Sequence, residues 1–196
     1  DLPNVNLYLA NLSNSDLHYA NLQGANLRLA NMVGADLSCC DLRGAKLYRA
    51  KINGANLSDA KLDKADLHRA ELNNAILDRT IMTDANLNEA SMKGARLFET
   101  NLTGAKMVFA NLSGANLKDV VMCGTELSYA DLTYAKLSGI DFSNANLSYA
   151  NLCCANLRYA KLRGINWRHV NLYLTSLIGA DLRYAKLDDV DLKGAS

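Results

Sequence analysis

Histidines, cysteines and carboxylates are the residues with which this chain could do chemistry, and their spacing argues against catalysis. His18, His68 and His169 lie far apart, with no Ser-His-Asp or Cys-His arrangement around them. Cys39–Cys40 and Cys153–Cys154 are adjacent pairs and Cys123 stands alone, none with the spacing of a zinc clasp. Asp and Asn recur before Leu too regularly to mark a reacting pair. The sequence therefore predicts no enzyme, no catalytic residue, no metal and no cofactor. Two other groups stand out. Phe109, Tyr129, Tyr149 and His169 fall 20 residues apart. If successive laps of the chain lie in register, their rings form an outer ladder, which either stacks to stabilise the chain or anchors a partner. The residues favour stacking alone. Residues 142–157 carry no charge, and Arg158, Lys161, Arg163 and Arg168 then follow with no acid before Asp181. That basic run would receive an acidic or phosphorylated partner, or it is chance clustering on a solvated face. The candidate interaction surface is thus Phe109, Tyr129, Tyr149, His169, Arg158, Arg163 and Arg168.

The elements that must position these residues follow a period of five. Every residue whose number ends in 2 or 7 is apolar, mostly Leu, with Met, Ile, Phe142 and Trp167 as exceptions. Every residue whose number ends in 0 or 5 is small or β-branched, mostly Ala. On a helix a step of five rotates the Leu column by roughly 140° and leaves no buried stripe. On a flat strand Ala25 and Leu27 share a face, but Leu27 and Ala30 do not. The pattern works if the chain bends after each Ala-Xaa-Leu unit. All 12 glycines fall at positions ending in 4 or 9, in that bend, where a type II turn demands positive φ. Through the first two-thirds of the chain, most Gly or Asn bends end in 4 and alternate with bulky ones such as Leu29, Arg49, Arg69, Glu89 and Phe109, which implies an even number of sides; the rhythm breaks at Tyr134, Gly139, Cys154, Leu174 and Gly179.

The units Ala20-Asn21-Leu22-Gln23-Gly24, Ala25-Asn26-Leu27-Arg28-Leu29 and Ala30-Asn31-Met32-Val33-Gly34 resemble the pentapeptide-repeat family, and the resemblance covers the whole chain. It implies an all-β fold, a right-handed four-sided parallel β-helix with about ten coils of about twenty residues, roughly 45 to 50 Å long. It also implies a single domain over residues 1–196, working as a non-catalytic scaffold for protein–protein contact. Some family members resemble duplex DNA and act on DNA gyrase. That alternative needs a strongly negative surface, and this chain has a net charge of +1.

No run approaches the roughly 20 apolar residues that span a membrane. Acids and bases are interspersed, and a nucleic-acid partner is disfavoured. Cys40 occupies an inward slot, and the remaining thiols face out, which favours a reducing, cytoplasmic setting. No capping segment is visible at either end, so the sequence predicts a fragment of a longer protein or coils that self-associate end to end. The protein partner is not named by any motif. Leu9 and Leu29 stack on the surface, and Arg69 faces Glu89 as Asp59 faces Arg79. Ile165, Trp167 and Val170 crowd one coil, which predicts distortion over 161–180: either the coil widens or Trp167 turns outward.

Overall fold

The chain turns a corner every five residues. In a computed structural model that describes residues 2–165, 167–187 and 189–196, the Ala25 N–H donates to Leu22 O at 3.0 Å and the Ala30 N–H to Leu27 O at 3.1 Å. Each such bond closes a four-residue turn whose third residue has positive φ, the type II geometry. Every position ending in 4 or 9, from Asn4 to Gly194, has φ between 53° and 73°. Bulky corners share this conformation with glycine corners: Leu29, Arg69 and Phe109 sit at 59°, 59° and 58°. The alternation read from the sequence therefore lies in the side chains and not in the backbone. A left-handed non-glycine residue costs about 1–2 kcal/mol, so bonds between coils must hold these corners.

Those bonds repeat with a register of twenty. Asn26 bridges Asn6 on one side and Lys46 on the other, both parallel, and the same step runs along the chain. One corner every five residues and one lap every twenty make a four-sided coil. Within one side, Asn26 N–H donates to Val5 O, Leu27 N–H to Lys46 O and Leu29 N–H to Tyr48 O, at 2.8 to 3.0 Å. The N–H just before each left-handed residue is left over, and the repeat's Asn or Asp supplies its acceptor. Gln23 N–H donates to Asn21 Oδ1 at 3.2 Å, and Ser38 N–H to Asp36 Oδ1 at 2.9 Å. At some corners where another residue fills that slot, the acceptor comes from the preceding coil. Asn73 N–H reaches Asn53 Oδ1 at 2.9 Å, Lys93 N–H reaches Asn73 Oδ1 at 3.0 Å, and Val108 N–H reaches Asn88 Oδ1 at 2.9 Å. Most of the backbone is paired lap by lap in this way, as a buried chain requires. Among the described residues no helix forms, so no helix is long and apolar enough to cross a membrane.

The interior is one column, mostly Leu and Ala, buried from Leu22 to Leu172. The outermost coils have a neighbour on one side only, and Leu2 and Leu192 are exposed. Polar stand-ins in the Ala slot find a carbonyl: the Thr80 and Thr100 hydroxyls donate to Leu57 O and Leu77 O at 2.8 and 2.6 Å. Cys40 does the same toward Leu17 O at 2.9 Å, and burial pushes its thiol up to about 11.

Trp167 lies inside, at 0% exposure, so the outward alternative does not hold. The coil keeps its register through the Asn151–Asn171 and Lys161–Asp181 bridges. It widens on one side. The Phe142 N–H to Lys161 O bond stretches to 3.2 Å, while the Asn144 N–H to Arg163 O and Ile165 N–H to Leu162 O bonds are not made. A cleft of about 630 Å³ opens there between Asn144–Ala145 and Arg163–Ile165. The indole Nε1 has no partner among the described residues. Ile165 and Trp167 bring more volume than Ala and Leu to this coil, and the ladder is also interrupted one coil earlier, where Asp119 N–H to Ser138 O and Met122 N–H to Asp141 O are not made.

Candidate interaction surface

The register of twenty carries the aromatic residues onto one corner. Phe109, Tyr129, Tyr149 and His169 stack with centroid separations of 4.8, 4.7 and 4.8 Å and interplanar angles of 17°, 6° and 27°. These separations match the spacing of adjacent β-strands, about 4.8 Å, so the backbone ladder sets the ring ladder. Phe109 remains 59% exposed, Tyr129 47% and Tyr149 41%. Each ring shields its neighbour's faces and presents its edge outward. The backbone below is pinned at the same interval, by Phe109 N–H to Ser128 O, Tyr129 N–H to Ser148 O and Tyr149 N–H to Arg168 O.

The same corner continues toward the first coils with residues that the spacing of Phe109 to His169 did not single out. Tyr48 and His68 stack at 5.6 Å, and the guanidiniums of Arg28 and Arg49 lie 5.6 and 5.4 Å from the Tyr48 ring centroid. Tyr48 thus accepts cationic neighbours on its ring. Arg69 meets Glu89 at 2.8 Å, which holds the Glu89 carboxyl below its ordinary range. Leu9 and Leu29 lie on this corner as well, both exposed. The signal for Tyr48 and His68 was present in the sequence: they too are 20 apart, one slot earlier in the repeat.

The arginines are not brought together. A five-residue step moves a side chain to the next corner, so Arg158, Arg163 and Arg168 occupy three successive corners. Arg168 shares the aromatic corner, and Arg158 lies diagonally across the coil. Arg158 sits 6.0 Å from the Tyr159 ring centroid, and Arg163 lies 3.7 Å from Asp181 and 5.7 Å from the Tyr184 ring centroid. Lys161 meets Asp141 of the preceding coil at 3.3 Å. The run that looks basic along the sequence is divided among faces and partly neutralised by acids one coil away. Asp59 and Arg79 pair at 2.6 Å, as their column predicts. Among the described residues no group of His, Cys, Asp and Glu could hold a metal ion with three or more ligands.

A family model described as pentapeptide repeats matches residues 1–28, 10–48, 40–79, 80–119, 125–158 and 155–194. The chain belongs to the pentapeptide-repeat family. Its fold is the right-handed quadrilateral β-helix of that family. The chain is similar to HetL, a pentapeptide repeat protein involved in heterocyst differentiation regulation from the cyanobacterium Nostoc sp. strain PCC 7120. The two are 35% identical over 100% of this chain and 90% of HetL, with a TM-score of 0.78. A trypsin-treated form of QnrB1, a plasmid-mediated fluoroquinolone resistance protein, matches with a TM-score of 0.51 at 16% identity, over 92% of this chain and 88% of that one. That second likeness shows the fold alone. No curated protein matches the sequence.

Proposed function

We propose that this pentapeptide-repeat chain is a rigid, non-catalytic scaffold that binds a protein partner along its aromatic corner, in the cytoplasm. The observation that carries the reading is the run of four stacked rings, three of them exposed by two-fifths or more, on one straight edge. Aromatic side chains give large contact area at little entropy cost, and stacking already fixes their rotamers. Such a solenoid recognises partners through surface substitutions on a regular frame. The likeness to HetL, a protein involved in heterocyst differentiation regulation, supports a regulatory role for such a contact. Five free thiols support the reducing compartment.

Imitation of DNA finds no support in the charge. Acids on the surface are paired with bases, as in Arg43–Asp41, Arg79–Asp59 and Arg96–Asp78. The test is capture of partners from source-cell lysate with the wild-type chain and with Tyr129→Ala/Tyr149→Ala. A matched control, Tyr159→Ala/Tyr184→Ala, alters other corners. The aromatic-corner variant is expected to lose a captured protein that the control retains. Equal capture by both variants would contradict the assignment of this corner.

A further inference from the structure

Cys153 Sγ and Cys154 Sγ lie 3.3 Å apart on a corner away from the aromatic ladder. Both thiols are free and partly exposed. They occupy the two central positions of a type II turn, with Cys154 at φ 60°. The turn is held from both sides: Cys153 N–H donates to Asn151 Oδ1 at 3.2 Å, and Cys154 N–H to Tyr173 O at 2.9 Å. Tyr134, one coil before, shares a hydrogen bond with Cys154. The hydrogen bond to Cys154 raises the Cys153 thiol above its ordinary range.

The other adjacent pair provides an internal comparison. Cys39 lies at a corner, but Cys40 falls in the next, inward slot and is fully buried, donating to Leu17 O. The same dipeptide, shifted by one slot in the repeat, cannot converge on a ligand. Only at 153–154 does the turn place both sulfurs on the surface.

We propose that Cys153 and Cys154 form a chelating dithiol site for a trivalent, pyramidal, thiophilic centre such as an organic arsenical. With bonds to sulfur of about 2.3 Å, a linear centre needs sulfurs about 4.6 Å apart and a tetrahedral one about 3.8 Å, whereas 3.3 Å corresponds to an angle of about 90°. That is the angle of a pyramidal trivalent centre. With an arsenical of the form R–As=O, two As–S bonds form and the As=O bond breaks. The two thiol protons leave with the oxygen as water, and arsenic stays trivalent.

The test treats the reduced full chain with phenylarsine oxide and follows intact mass and free-thiol titration. One arsenical per chain is expected, with two thiols lost, stable to excess monothiol and removed by a dithiol. Cys153→Ser and Cys154→Ser should each weaken retention about a hundredfold, because the second bond is no longer intramolecular. Cys39→Ser should leave it unchanged. Peptide mapping of the unsubstituted adduct reads the site directly, whatever the variants do to folding. Absence of a monothiol-resistant adduct, or an adduct mapped to Cys39, Cys40 or Cys123, would overturn the proposal.

Discussion

Cys40 is chemically a cysteine and structurally an alanine. Its thiol is packed into the column, and burial raises it from 9.0 to about 11. A group whose folded pKa is raised contributes stability that is complete below the unfolded value and is lost as pH climbs through the folded one. Cys40→Ala should therefore lose less stability than the wild type between pH 9 and pH 11, measured by urea denaturation at each pH. Parallel curves would show that the thiol is not held in the column. Asn73 makes a second argument at this scale. Its Oδ1 accepts from Lys93 N–H at 3.0 Å and from Ser91 Oγ at 2.6 Å. Asn73→Ala leaves that N–H without its partner and should cost about 1–2 kcal/mol, while Asn73→Asp keeps the acceptor and should cost less. Equal costs for the two in chemical denaturation would remove the capping role. The inward slot of Cys40 was legible in the sequence because the period of five never slips. The role of Asn73 was not, because its acceptor serves a residue one lap later and only the stacked coil brings them together.

The element of this fold is the corner, and corners obey a rule that the glycines reveal only in part. Glycine marks the bends, yet Phe109, Tyr129 and Arg69 adopt the same positive φ. Residue preference alone would not place an aromatic ring there. It is held because neighbouring coils fix the backbone above and below. The aromatic ladder was legible from the interval of 20. The dispersal of Arg158, Arg163 and Arg168 was not seen, because a run of cations along the chain reads as a patch until each is assigned to its corner. The coil over 161–180 was expected to distort, and it does so with Trp167 inside and one seam opened. Trp167 is the chain's one tryptophan, so its fluorescence reports this coil alone. The emission should be blue-shifted and shielded from iodide. Emission at the position of free indole in water, quenched readily by iodide, would put the ring outside.

At the scale of the whole molecule, a register of twenty ties every surface feature to every other. It sends Leu and Ala inward, stacks Phe109 on Tyr129 and Tyr149, and puts Cys153 and Cys154 outward where Cys40 is buried. Each coil touches only its neighbours, so stability accumulates locally along the rod. The order along an edge is therefore the order in sequence divided into laps. The measurement that tests this most directly is disulfide formation between engineered cysteines, in a background where the five native cysteines are replaced by serine or alanine. Stacked positions lie about 4.8 Å apart, within the reach of a disulfide. Phe109→Cys/Tyr129→Cys should close on mild oxidation, and Phe109→Cys/Tyr134→Cys, five residues further and one corner away, should remain reduced. Closure of the second pair with the first left open would contradict the twenty-residue lap.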